Sequence, residues 1–327
     1  MSTTNLGKTS NLQEDVKGPE PVYLFSFTGR GTTLFLEFIK NYLLFFVTFG
    51  FWTFKLIVNF RKFVTGNIEL AGQRFSYHGT AMELFIGYCK VFGIFLAYSI
   101  IVVGLGFIDQ TVSVVVGALF AVAMVGLFPF AMYSSKRYKL SRTTWRGVAF
   151  GAEDKGLDYA KLCFTNAILT LITFGIWYPK MSHRLYEFRV NNMFWGDAKF
   201  KYTGNESDFF WMHIKAIPLM IITLGFYGLW FSLKAAKYQA NHTWVGNKTL
   251  GAAKFNISHT GLGLIWAWIK FIFFTMITLG FGMSWALCGF LRNIAPGISL
   301  QGHLQFDQVK SIPSSGNSFG DALASSM

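Results

Sequence analysis

A short motif that returns about every fifty residues constrains this chain more than any other feature. Alternating aromatics closed by a glycine appear as Phe25-Ser26-Phe27-Thr28-Gly29, Arg74-Phe75-Ser76-Tyr77-His78-Gly79 and Lys199-Phe200-Lys201-Tyr202-Thr203-Gly204. Lys254-Phe255-Asn256-Ile257 is a further copy; Val148-Ala149-Phe150-Gly151 and His303-Leu304-Gln305-Phe306-Asp307 are weaker ones. The markers Phe25, Phe75, Phe150, Phe200, Phe255 and Phe306 are 50, 75, 50, 55 and 51 residues apart. Period-two alternation ending in glycine reads as a strand with a turn. A fixed period of this length reads as a repeat architecture.

A second motif lies between the strands. It runs Thr48-Phe49-Gly50-Phe51-Trp52, Thr173-Phe174-Gly175-Ile176-Trp177, Thr223-Leu224-Gly225-Phe226-Tyr227 and Thr278-Leu279-Gly280-Phe281-Gly282. An apolar run precedes each copy and a basic, aromatic segment follows it. The 75-residue unit instead holds two uninterrupted apolar runs, about 91–108 and 111–133, joined at Phe107-Ile108-Asp109-Gln110. A membrane crossing needs about 20 apolar residues. The sequence therefore predicts a mainly α-helical membrane protein with about six transmembrane helices built from repeats of about 50 residues, with short β-strands between them. The spans fall at about 32–54, 84–107, 111–134, 158–178, 209–232 and 262–290. The strands are expected to pair into small sheets at the membrane faces.

Composition agrees with a membrane setting. Of 327 residues, 52% are apolar and 14% charged, and 37 are phenylalanine, whereas a soluble domain carries roughly a quarter charged residues. The net charge of +13 suits loops facing anionic lipid and not nucleic acid, because the basic residues scatter over helix ends. Cys89, Cys163 and Cys288 sit in apolar stretches and read as small core residues. The polar segment 1–21 does not read as a cleavable signal peptide. Together with the Ser/Gly-rich segment 309–327 it is expected to be a disordered tail.

Topology admits two solutions. Single crossings divide the basic residues almost evenly between the two sides, which departs from the positive-inside rule. Re-entrant hairpins tipped by Thr-x-Gly would gather all strands and loop charges on one side. Against them, Lys55, Asn59, Arg61 and Lys62, and in another copy Pro179, make poor second legs. Those segments read as interfacial helices, with Trp52, Trp177, Trp230 and Trp285 in the aromatic belts, and single crossings are the favoured expectation.

Charges within the spans fall in register. Lys40, Lys215 and Lys270 each precede the motif Thr by eight residues, and Lys161 by twelve. Lys90 holds a comparable place. Glu37 precedes Thr48 by eleven residues, and Asp158 and Asp208 precede Thr173 and Thr223 by fifteen. At about 100° per residue these offsets, with Thr278 of the last copy, share an arc of roughly 120°. The stripe Glu37, Lys40, Thr48, Lys90, Asp158, Lys161, Thr173, Asp208, Lys215, Thr223, Lys270 and Thr278 is the candidate site. It could line a solute path, since intramembrane charge usually faces the protein interior. Equally, the acids could sit at helix N-termini and the lysines could snorkel.

No HExxH, CxxC, GxSxG or Walker-type loop occurs, so no enzyme, metal or cofactor is expected. Gly29-Arg30-Gly31 reads as a turn, and His78 and His259 as hydrogen-bonding turn residues.

Phe25–Gly31, Leu43–Trp52 and Leu70–Thr80, with the later Thr-x-Gly copies, resemble the YjgN family of bacterial inner-membrane proteins. The likeness runs from about Val22 to Gln308. It departs at Phe255-Asn256-Ile257-Ser258, which lacks the second aromatic, and at Val148-Ala149-Phe150. The resemblance implies a multi-pass protein of a bacterial inner membrane and carries no activity, because the family is one of unknown function. The expected function is a channel or transporter for a small solute, ion or lipid. The alternative is a non-enzymatic scaffold that binds a membrane or envelope protein.

Overall fold

A computed structural model of the chain describes residues 20–309 except 248 and 249. The two expected tails lie outside the described residues, apart from positions 20, 21 and 309.

The chain takes one path five times. A strand leads into a helix, a second helix returns, and the next strand pairs antiparallel with the first. The units are β1 (Val22–Phe27), α1 (Gly31–Val47), α2 (Thr53–Gly66), β2 (Ile68–Leu70); β3 (Gln73–Tyr77), α3 (Ala81–Gly106), α4 (Gln110–Ser141), β4 (Thr143–Trp145); and β5 (Val148–Ala152), α5 (Gly156–Ile172), α6 (Tyr178–Asn191), β6 (Met193–Trp195). Two more follow: β7 (Ala198–Tyr202), α7 (Glu206–Ile222), α8 (Phe226–Asn241), β8 (Thr243–Asn247); and β9 (Gly251–Ile257), α9 (Gly261–Ile277), α10 (Met283–Ile294), β10 (Ile298–Leu304). Tight turns at Ala71-Gly72, Arg146-Gly147 and Gly196-Asp197 link the first four units, β8 pairs with β9, and β10 pairs with β1. The ten strands form one closed antiparallel barrel. All five helical hairpins therefore leave from one rim, and all the tight β-turns lie at the other. The helices form a second ring above the rim, each packed on its chain neighbours, with α10 against α1.

Aromatic side chains fill the barrel. The register places Phe25 opposite Leu70, Phe75 opposite Trp145, Phe150 opposite Trp195, Phe200 opposite Val245 and Phe255 opposite Leu300. Partners across a pair share a face, so these ten residues make one tier around the lumen, and nine of them carry bulky side chains larger than valine. Phe75 stacks between Phe25 and Phe150 at centroid distances of 6.3 and 6.0 Å. Phe306, expected in a strand, instead follows β10 in a short 3-10 turn and packs on Tyr23 and Trp145 at 4.9 and 5.0 Å. In β7 the alternation is complete: Ala198, Phe200 and Tyr202 are buried, while Lys199 and Lys201 face out.

Three expectations are corrected. Small separate sheets are replaced by the single barrel, whose closure leaves none of its strands with a free edge. Six transmembrane helices are replaced by five helical hairpins. Among the described residues only α3 and α4, 26 and 32 residues, are long and apolar enough to cross a bilayer. The spans expected at 32–54, 158–178, 209–232 and 262–290 are each a 17-residue helix followed by a tight reversal. Third, the favoured single crossings fail because Thr-x-Gly ends one helix and starts its return, as in the hairpin alternative.

The reversal has the same geometry in four copies. Thr48 ends α1, Phe49 takes φ 49° and Gly50 φ 91°. The amide of Phe49 donates to Phe46 O at 3.2 Å and that of Gly50 to Phe45 O at 2.9 Å, the two bonds of a Schellman cap. Phe174-Gly175, Leu224-Gly225 and Leu279-Gly280 repeat these bonds and torsions.

Candidate functional site

The expected polar stripe maps onto the crown of hairpins. Its four threonines have a defined task. Thr48 Oγ1 donates to Leu44 O at 2.7 Å and accepts from Trp52 N at 3.0 Å. Thr173, Thr223 and Thr278 make the same pair of bonds, accepting from Trp177, Tyr227 and Gly282 N at 3.1, 3.0 and 2.9 Å. Each hydroxyl thus stitches the end of one helix to the start of the next, satisfying an amide that a helix N-terminus leaves open.

The charged members stand apart from the threonines. Glu37, Lys40, Lys90, Asp158, Lys161, Asp208, Lys215 and Lys270 are all exposed and lie on five different hairpins. Asp158 and Asp208 occupy the first turns of α5 and α7, where the helix dipole favours an acid. The carboxylate of Glu37 accepts from Asn41 Nδ2 at 3.3 Å. Lys40, Lys90, Lys215 and Lys270 are each the tenth residue of α1, α3, α7 and α9, and Lys161 is the sixth of α5. With a rise of about 1.5 Å per residue, four of these lysines stand at one height, about 14 Å above the rim.

Asn41 and Asn166 are the polar residues that sequence reasoning missed. They are 3% and 1% exposed. Trp52 Nε1 donates to Asn41 Oδ1 at 2.9 Å, and Trp177 Nε1 to Asn166 Oδ1 at 3.1 Å. Asn59 Nδ2 adds a second donor to Asn41 at 3.1 Å, and Arg184 adds one to Asn166 at 3.4 Å. Asn stands seven residues before Thr, and Trp four after it, in two copies; this spacing was the available signal. Ala216 and Phe271 hold the Asn position in the other two.

Ion pairs gather at the rim. Arg184 binds Glu206 through two bonds of 3.0 and 3.1 Å. Arg142 meets Glu83 at 2.6 Å, and Tyr138 Oη donates to the same carboxylate at 2.6 Å. Glu153 lies between Lys155 at 2.7 Å and Lys199 at 3.3 Å. The bonded Lys155, helped by Lys199, holds its carboxyl below the usual range despite partial burial. His78 Nε2 is 3.0 Å from Thr144 Oγ1, and His259 Nε2 is 2.6 Å from Ile294 O. Among the described residues no three His, Cys, Asp or Glu side chains converge as a metal site would require.

A family model described as "Bacterial protein of unknown function (DUF898)" matches residues 22–216 and 198–251. The chain is 29% identical over 125 residues to the inner membrane protein YjgN of Salmonella typhimurium, covering 38% of this chain and 30% of that one. It is also 29% identical over 158 residues to the YjgN of Escherichia coli K12, covering 47% of this chain and 37% of the relative. The matched part thus spans about a third of these curated relatives. No solved structure matches. The expected likeness to the YjgN proteins holds, and the chain belongs to the DUF898 family of bacterial proteins of unknown function.

Proposed function

We propose that this chain is an inner-membrane protein that sinks its helical crown into the bilayer and holds its barrel on the cytoplasmic side as a non-enzymatic platform for another envelope protein. One observation carries the membrane part. Phe49, Phe174, Leu224 and Leu279 adopt left-handed torsions and are 95, 97, 90 and 88% exposed at the hairpin tips. That torsion costs a side-chain-bearing residue about 1–2 kcal/mol relative to the right-handed helix. Moving such a side chain out of water gains about 1.5–3 kcal/mol, so an apolar phase around the tips more than offsets the strain.

Lengths support the same placement. From Lys40 to the tip at Phe49 is nine residues, about 13 Å at about 1.5 Å each, close to the roughly 15 Å of one hydrocarbon leaflet. Helix α3 runs 16 residues beyond Lys90, about 24 Å, well past the near leaflet of about 15 Å. Four hairpins would then dip into the near leaflet while α3 and α4 cross. Lys55 and Lys180, the lysines nearest two tips, lie 5.0 and 4.4 Å from the rings of Trp52 and Trp177, a contact that suits a poorly hydrated ammonium. Every returning helix carries a basic residue in its second half, as with Arg61, Lys139, Arg189, Lys237 and Arg292, and in α4, α6 and α10 it lies in the last turn, which favours a cytoplasmic rim. Strands of three to seven residues are too short for a transmembrane barrel, which needs about nine to eleven.

The filled lumen favours a platform over a conduit. A second reading, a route for a small solute, ion or lipid along the crown, draws support from the lysines that share one height. Both readings are tested in liposomes. Fluorophores attached at Leu224→Cys and Leu279→Cys on a cysteine-free chain should be quenched by quenchers deep in the acyl chains, and Ser76→Cys in cells should react only after permeabilisation. Aqueous quenching of the tips would overturn the insertion. Solute flux abolished by Lys40→Ala, Lys215→Ala or Lys270→Ala would replace the platform with transport.

A further inference from the structure

At the foot of the crossing hairpin lies a cleft of about 300 Å³ between α4, α6 and the β5–β6 pair. Lys136 and Lys139, one turn apart on α4, line one wall, and Arg189 from the last turn of α6 faces them. The floor is the pair Ala152 and Met193. Arg137 also lines the cleft but is engaged by Asp154 at 2.9 Å. Among the described residues no carboxylate pairs with Lys136, Lys139 or Arg189. Arg189 donates from Nε to Leu185 O on its own helix at 3.0 Å, and its guanidinium carbon lies 6.0 Å from the centre of the Tyr186 ring.

Three cations in so small a space repel one another, and the apolar floor prevents water from screening them fully. The arrangement becomes favourable when an anion enters. Two ammonium groups and a guanidinium suit a phosphate, whose oxygens accept several charge-assisted bonds at once. Height gives the source. Lys136 stands five residues before the end of α4, about 8 Å above the rim at about 1.5 Å per residue. It follows the apolar stretch after Ser134 and Ser135, at the level where lipid phosphates lie if α4 crosses as proposed above. Basic clefts at helix feet on that side are where anionic headgroups bind.

We propose that this cleft binds a phosphate group, supplied by the headgroup of an anionic phospholipid. The test uses the full chain in neutral detergent, so its outcome does not depend on whether the crown inserts. Short-chain phosphatidylglycerol, short-chain phosphatidylcholine and inorganic phosphate are titrated separately and followed by native mass spectrometry and thermal melting. Phosphatidylglycerol is expected to bind one per chain and raise the melting midpoint, with phosphatidylcholine at least tenfold weaker. The pair Lys136→Gln and Lys139→Gln, or Arg189→Gln alone, should weaken binding tenfold or more. Lys136→Arg with Lys139→Arg should restore it, which separates lost charge from lost folding. Lys234→Gln with Lys237→Gln on α8 should leave it unchanged. Inorganic phosphate that binds as tightly as the lipid would keep the phosphate site and overturn the lipid source. Equal binding of phosphatidylglycerol to the parent chain and the double glutamine variant would overturn the site.

Discussion

The indole of Trp177 donates to the carboxamide oxygen of Asn166, 3.1 Å away across the tip of its hairpin and almost wholly removed from water. An indole N–H left bare in such a place costs about 1–3 kcal/mol, and an apolar bilayer around it would supply no substitute. Asn166→Leu should lower the melting midpoint in detergent by an amount equivalent to that cost. Trp177→Phe should give up packing and the donor together. The double variant should be less unstable than the sum, with a coupling of about 0.5–3 kcal/mol; strict additivity would mean the bond contributes nothing.

Replacing a tip residue should separate stability from membrane depth. Leu224→Gly and Leu279→Gly remove the left-handed strain, so each should melt in detergent no lower than the parent and up to about 1 kcal/mol higher. In liposomes the same variants should insert less deeply, read by acyl-chain quenching from a neighbouring tip label. A loss of stability in detergent would show that the side chain packs within the protein.

The threonine stitch predicts a graded series. Thr223→Ser keeps the hydroxyl that bonds Leu219 O and Tyr227 N and should be close to neutral. Thr223→Val keeps the shape, loses both bonds and should cost about 1 kcal/mol, as for other caps. Chemical denaturation of the two variants side by side checks the order.

Barrel closure depends on its aromatic filling. Phe75 stacks on Phe25, Phe150 and Trp145, the last at 5.7 Å. Phe75→Ala should cost about 3–5 kcal/mol, enough to destabilise the barrel at 37 °C. Limited proteolysis should then cut first in the strands, leaving α3 and α4 protected.

Acid should act through Glu153. Its folded carboxyl titrates below the ordinary range because Lys155 and then Lys199 bond the charged form. The stability it contributes is complete above the unfolded value of about 4.3 and is lost as pH falls through the lower folded value. Glu153→Gln should therefore be less stable than the parent at neutral pH, with the gap closing on acidification. A gap that stays constant from neutral pH to about 3 would refute the pairing.

The odd strands were legible because Phe25, Phe75 and Phe200 sit in segments long enough to show period-two alternation ended by a glycine. Their partners were not: Ile68–Leu70, Thr143–Trp145 and Met193–Trp195 have three residues each, too few for any period to register. With β2, β4, β6 and β8 hidden, the barrel could not be read. The hairpins were misjudged for a related reason. Left-handed turns are usually announced by Gly or Asn, and Phe49 or Leu224 in that position lets the hydrophobic run continue straight through the reversal. Asn41 and Asn166 were passed over because a single amide in an apolar run carries no weight until its tryptophan partner is seen. The stripe of charges was visible from spacing, but spacing alone could not say that its threonines turn inward to the backbone while its lysines turn out.

The seam between β10 and β1 is hydrogen-bonded like the other nine, with Gly302 N donating to Pro21 O at 3.1 Å beside it. The described chain enters and leaves the barrel on the side of the tight turns. The five units therefore follow one another as members of a cycle, and none is topologically first. A circular permutant opened between Gly196 and Asp197, with the ends beyond β10 and before β1 joined by a linker, retains every strand neighbour and every hairpin.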